Sequence, residues 1–147
     1  MDLSNIKFNP TEDIELRFPS VEELEKLSNE VFKPENHERI LKYTGFEAGA
    51  NTPKKYLELN LIPRLEKVRQ GSKIFLLIFY KGKIAGRISA HDIDYRNQKT
   101  ELGYFLLKEF EEKGIMSACV KSLEDFIFDA LKFNRIELSI APNNDAS

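Results

Sequence analysis

The chain changes its hydrophobic period four times, and those changes divide it into elements. Ile14 to Ser20, IELRFPS, alternates and stops at a proline, which predicts a first strand. A helix follows. Ser20 stands as its N-cap with Glu23 three residues on, the capping-box spacing, and Val21, Leu24, Leu27 and Val31 recur on one face. ENHERILKYTGF predicts a second helix ending near Gly45. NTPKKYLELNLIPRLEKVRQGSK predicts a third, opened by Thr52 and Pro53, with Pro63 placed to kink or split it. At Lys73 to Tyr80, KIFLLIFY, the pattern becomes a nearly continuous β-favouring run, as in a strand covered on both faces. The pair Lys81-Gly82 makes a tight turn, so Lys83 to Tyr95 returns as the second strand of a hairpin. Gly86 within it marks a bend or a close approach. After RNQK comes a third strand, Thr100 to Leu107, with Gly103 inside it. A helix from about Gly114 to Phe133 carries a wide apolar stripe that includes Met116, Cys119, Leu123 and Ile127, and Arg135 to Ala141 forms a last strand.

The predicted order is β-α-α-α-β-β-β-α-β, a mixed α/β sheet covered by helices. A strand, a helix and a further strand imply a parallel pair with a right-handed crossover. Residues 1–147 read as a single domain, without internal repeats, low-complexity tracts or linkers.

Composition narrows the class. Hydrophobic residues make up 41% and charged residues 31% of 147, as in a soluble globular protein. Twenty-two basic against 24 acidic side chains leave a net charge of −2, which argues against nucleic acid as the main partner. The lone cysteine, Cys119, allows no internal disulfide and fits a reducing cytoplasm, with plain core packing as its role. The first ten residues lack the apolar core of a signal peptide, and no apolar run approaches the roughly 20 residues that span a bilayer. Two histidines and one cysteine, far apart in the chain, predict no metal site.

The candidate chemistry lies between the third strand of the central group and the long helix. A helix N-terminus offers unpaired N–H groups and a partial positive charge, and glycine lets an anion approach the backbone. EEKGIMS therefore reads either as a loop whose amides at Gly114, Ile115, Met116 and Ser117 hold a diphosphate, with Lys113 adding a cation, or as a corner that Gly114 merely turns. It is neither a nucleotide P-loop nor a dinucleotide fingerprint, because the required Gly-Lys-Ser/Thr and triple-glycine patterns are missing.

Several motifs in order give a sharper reading. Glu101, Leu102-Gly103-Tyr104, Lys113-Gly114-Ile115-Met116, Asn134-Arg135-Ile136-Glu137, and Asn144 with Ser147 closely resemble the RimJ/RimL branch of the GNAT acetyltransferase superfamily. The resemblance runs from about Ile14 to the end. It implies the GNAT acyl-CoA N-acyltransferase fold, with two parallel strands splaying around acetyl-CoA as co-substrate and no metal. The pantetheine arm would pair with the backbone of Phe105, Leu106 and Leu107. The pyrophosphate would sit on Glu112, Lys113, Gly114, Ile115, Met116 and Ser117, and Asn144 would lie near the thiol. The implied reaction is acetyl transfer to a primary amine, such as a protein N-terminal α-amine. The competing reading is a degenerate or fragmentary module that binds CoA or a protein without turnover.

An α-amine with pKa near 8 is about one-tenth neutral at pH 7, so its deprotonation costs about 1 kcal/mol, against about 4.5 kcal/mol for a lysine. A modest base suffices for the first. Glu101 is the candidate, with a solvated strand carboxylate as the alternative, and an N–H near Phe105 would receive the oxyanion. His91 reads as a surface or packed residue that could face the cleft. The resemblance also carries two departures. Glu111 stands three residues before the loop glycine, where the family favours Gln, Arg or Trp, and Glu112 follows it; two carboxylates beside a diphosphate weaken binding unless they point away. The family also continues with a further helix and hairpin, so the domain is expected to be C-terminally incomplete. The edge of the last strand is then a pairing site, and a homodimer is an expected partner state.

Overall fold

The computed structural model describes residues 1–44 and 49–138; Asn144, Ser147 and the end of the last predicted strand lie outside them. Six strands form one sheet in chain order: β1 (Lys7–Thr11), β2 (Ile14–Arg17), β3 (Ile74–Tyr80), β4 (Lys83–Asp94), β5 (Lys99–Leu106) and β6 (Arg135–Leu138). All neighbours are antiparallel except β5 and β6, which run parallel, as the intervening helix requires.

The helices are α1 (Val21–Val31), α2 (Pro34–Thr44), α3 (Pro53–Tyr56), α4 (Ile62–Arg69) and α5 (Ile115–Asp129). Ser20 and Glu23 close the expected capping box on α1, and Arg17 fastens it by donating Nη1 to Glu23 at 2.8 Å. The third predicted helix is split. A π-helical turn over Leu57–Leu61 separates α3 from α4, and Pro63 stands at the start of α4. Proline has no N–H for the preceding turn, so the break falls where Pro63 demands it.

Two boundaries differ from the expectation. The sheet has a strand more than predicted, because β1 precedes the strand at Ile14 and pairs with it. Pro10 argues against a strand interior, but β1 is an outermost strand, where a missing donor costs little. Its Phe8 meets Phe126 of α5 edge-on, with ring centroids 5.7 Å apart. The long helix also ends earlier, at Asp129 rather than Phe133.

β3 is buried along almost its whole length, as its unbroken apolar run requires. Gly86 is a close approach. A Cβ there would stand 2.2 Å from the Phe105 carbonyl oxygen, so only glycine lets β4 and β5 run side by side at this point. Cys119 packs in the core with its thiol pushed up to about 12 by burial, consistent with an inert apolar role. No helix among the described residues is long and apolar enough to cross a membrane.

Candidate functional site

The site is built along β5 and the turn that follows it. The register pairs Arg87 with Phe105, Ser89 with Gly103 and His91 with Glu101. Alternation along a strand puts all six on one face. Glu101 is also in register with Glu137 of β6, whose carboxylate lies 3.3 Å from Arg135 Nη2.

His91 and Glu101 form a pair, with Nε2 3.2 Å from Oε2 and both side chains about two-thirds buried at 27% and 31% exposure. Burial, with Lys73 adding to it, holds the His91 imidazole below its usual pKa, against the opposing pull of Glu101 and Asp92. The imidazole is therefore neutral at pH 7 and able to take a proton. Gly103 eases the pair. A Cβ on it would lie 3.3 Å from His91 Cε1, so the glycine leaves room for the ring. His91, Asp92 and Glu101 also place three ligand-type atoms within 4.8 Å of one another, a grouping that a reading confined to histidine and cysteine passes over.

The backbone of β5 divides its hydrogen bonds by parity. Leu107 N–H donates to Ala85 O at 2.8 Å, while Gln98 O, on the opposite side, accepts from Asn134 N–H at 3.2 Å. Odd-numbered positions such as Phe105 therefore turn their amide groups toward β4, and even-numbered positions such as Tyr104 and Leu106 turn theirs toward the β6 side. Leu102 opposite Leu138 is the last described pair of the parallel ladder. The side chains of Phe105, Leu106 and Leu107 are buried, so only their main chain can serve a ligand.

Beyond β5 a 3-10 turn (Lys108–Phe110) leads to the loop before α5. Gly114 caps that helix with φ +71°, left-handed backbone that favours glycine, and a Cβ built there meets nothing within 4 Å. Glu112 is left-handed too, at φ 63°. The amides of Gly114, Ile115, Met116 and Ser117 find no acceptor among the described residues, while the side chains of Ile115 and Met116 are buried. Glu112, Lys113, Gly114 and Ser117 are exposed. The glycine turns the chain at the start of a 15-residue helix and leaves the approach to its first N–H groups open, so the geometry allows both readings of the loop, as a corner and as an anion cradle.

Glu111 does not face this cradle unaccompanied. Arg39 of α2 places Nη1 2.7 Å from its carboxylate and donates Nη2 to Leu106 O at 2.6 Å. Asn36, also on α2, accepts from Lys108 N–H at 2.8 Å. Helix α2 therefore clamps the end of β5 and neutralises the first of the two suspect carboxylates. Sequence reading could not find this arginine, because no local pattern links it to Glu111.

A concavity of about 880 Å³ between the β1–β2 hairpin, α1 and the β3–β4 turn contains neither Glu101 nor Gly114. Its Arg17 is already engaged by Glu15 and Glu23, and we assign it no part in the chemistry.

A parallel pair at β5–β6, a glycine-capped crossover helix between them and a carboxylate on β5 are arranged as the resemblance to acyl-coenzyme A N-acyltransferases implies. The chain belongs to the acetyltransferase (GNAT) domain family, which it matches over residues 13–147. It is 29% identical over 136 residues to YdaF of Bacillus subtilis (strain 168), which carries the name "Putative ribosomal N-acetyltransferase", covering 92% of this chain and 73% of that one. Its fold superposes with a TM-score of 0.81 on the microcin C7 self-immunity acetyltransferase MccE, solved with acetyl-CoA and AMP, at 25% identity over 95% of this chain and 76% of the other. RimL, a ribosomal L7/L12 α-N-protein acetyltransferase solved with coenzyme A, shares the fold at a TM-score of 0.81 and 19% identity, over 90% of this chain and 73% of its own. The protein is accordingly an acetyl-CoA-dependent N-acetyltransferase.

Proposed function

We propose that this enzyme acetylates the α-amine of a peptide or protein N-terminus, with Glu101 and His91 together as the base. The observation that carries the proposal is the 3.2 Å Glu101–His91 contact, which couples the strand carboxylate to a neutral imidazole on the face of the sheet beside the cradle's strand. Such a pair is a modest base. It suits an amine that needs about 1 kcal/mol for deprotonation at pH 7 and suits a lysine poorly.

Acetyl-CoA supplies the activated acyl group when bound. The chain's own contribution is positional. The free amides from Gly114 to Ser117 suit a diphosphate, and Lys113 stands exposed beside them. Tyr104 and Leu106, rather than Phe105 itself, turn main-chain groups toward the β6 side, where an amide-rich arm would find partners. An oxyanion donor near Phe105 is then one of those two flanking N–H groups. Glu101, which accepts a hydrogen bond from the Nε2–H of the neutral His91, takes the amine proton directly or through a water. Asn144, expected near the thiol, lies outside the described residues.

Support for an N-terminal acceptor comes also from YdaF and RimL, whose names place them among ribosomal-protein acetyltransferases. Calorimetric titration with acetyl-CoA, followed by a thiol-release assay on peptides with free N-termini and on lysine side-chain analogues, tests the reading. Micromolar binding with turnover on the peptides is expected. Preferential turnover on the lysine analogues would remove the N-terminal assignment, and binding without any turnover would leave a coenzyme-binding module.

A further inference from the structure

One charged side chain in the described structure is buried without an opposite charge. Arg87, at the centre of β4, is only 5% exposed. Its Nη1 donates to Ser89 Oγ at 3.1 Å, and its Nε has no hydrogen-bond partner at all. Its guanidinium lies over two rings, with Cζ 5.1 Å from the Phe105 centroid and 5.9 Å from that of Phe75. No carboxylate pairs with it among the described residues. The charged neighbour that acts on it most is another cation, Arg64 of α4, which shares the Phe75 ring at 5.9 Å.

The cationic character extends along the face. Lys73, half-buried just before β3, feels Arg64, Arg87 and Lys67 as like charges, with Asp92 opposing them. Burial and these cations hold Lys73 down to about 8, and burial with Arg64 holds Arg87 down to about 10. A buried charge without a partner is costly, and proteins usually pair it or hand it to a ligand.

Position supplies the rest. Arg87 stands four residues from His91 on the same strand and the same face, with Ser89 between them and Glu101 opposite His91. Four residues of strand span about 13 Å. From this placement we infer that Arg87 is a specificity determinant that receives an acidic side chain within the first few residues of the acceptor, while the N-terminal amine reaches Glu101. A planar guanidinium with an unused Nε edge matches a carboxylate in two-point geometry.

The inference rests on the acetyltransferase reading above, and the test separates the two. Two amidated peptides are compared as acceptors, one Ala-Glu-Glu and one Ala-Gln-Gln at the N-terminus and identical beyond. The wild-type enzyme should favour the acidic peptide in kcat/KM by about tenfold or more. In Arg87→Gln that ratio should fall close to one, with the amide peptide changed only severalfold. If Arg87→Gln does not fold, Arg87→Lys replaces it, and a severalfold drop in the ratio is expected from the lost fork. Equal rates for the two peptides in the wild type overturn the inference while leaving acetyl transfer intact. A ratio that persists unchanged in the folded variant overturns it as well. Loss of coenzyme A binding altogether removes the acetyltransferase reading and this inference with it.

Discussion

On the proposed reading, the two ends of β5 perform different work with different materials. At its C-terminal end and in the loop beyond, the main chain does nearly everything: left-handed glycine, free amides, buried side chains turned away. At its N-terminal end the side chains do it, with Glu101 set against His91 and Arg87 lying further along the same face of β4. A cofactor carrying the same phosphates in every reaction can be gripped by groups every residue has. A proton and an acceptor need particular side chains at particular registers. The first kind of site tolerates substitution nearly everywhere except at its glycine. The second depends on which side chains stand at those registers.

Substitutions at the two ends should therefore separate binding from turnover. Glu101→Gln should lower kcat by about 10²–10⁴-fold with coenzyme A affinity unchanged by calorimetry. Its acidic limb should move to lower pH, because the carboxylate that favours the imidazolium is gone. A rate within threefold of wild type would break the contrast.

Gly114→Glu should do the reverse, weakening coenzyme A binding by about thirtyfold or more, the equivalent of ~2 kcal/mol at a helix N-terminus. Gly114→Ala is the control. Its Cβ meets nothing, so only the left-handed backbone resists it, at roughly 1–2 kcal/mol of stability. If the alanine variant loses affinity as severely as the glutamate one, conformation rather than charge governs the cradle.

Lys73→Met should have a smaller effect of opposite sign to that of Glu101→Gln on the acidic limb. Lys73 holds the His91 pKa down, so its removal should carry that limb to higher pH in a kcat/KM profile. Stability gives a second reading. Lys73 titrates at about 8 when folded against 10.5 unfolded, so between those values the unfolded chain holds more protons. Stability from this group therefore rises with pH across that window and is flat below it. Thermal melts should show the slope in the wild type and lose it in the variant.

Gly103→Ala should cost least, a severalfold loss of kcat as the new methyl presses on His91 Cε1. Unchanged kinetics would mean that the ring has room to spare.

The elements of the two regions were unequally legible in the sequence. Gly114 announces itself, because a bare glycine before an apolar helical stripe has few explanations, and the motifs around it name the family. The β3–β4 hairpin and α5 follow from period and turn residues. The His91–Glu101 pair does not, because strand register depends on the turn at residues 95–98, where one residue more or less would turn Glu101 to the other face. Arg87 was equally hidden, since arginine inside an alternating strand reads as solvent-facing until the helices above it are placed. β1 was missed for the opposite reason: Pro10 is a strong local signal against a strand, and only its place at the sheet margin excuses it. Glu111 looked hazardous until Arg39, distant in the chain, was found beside it.

That proline at the margin has an effect of its own. A β-rich molecule is at risk of growing by edge-on addition, one copy zipping its backbone onto the next. Pro10 deletes a donor from the row such a zipper needs, and the register of β1 against β2 is already interrupted between Phe8 and Thr11. The irregularity that hides β1 from sequence reading also makes it a poor template for fibre growth.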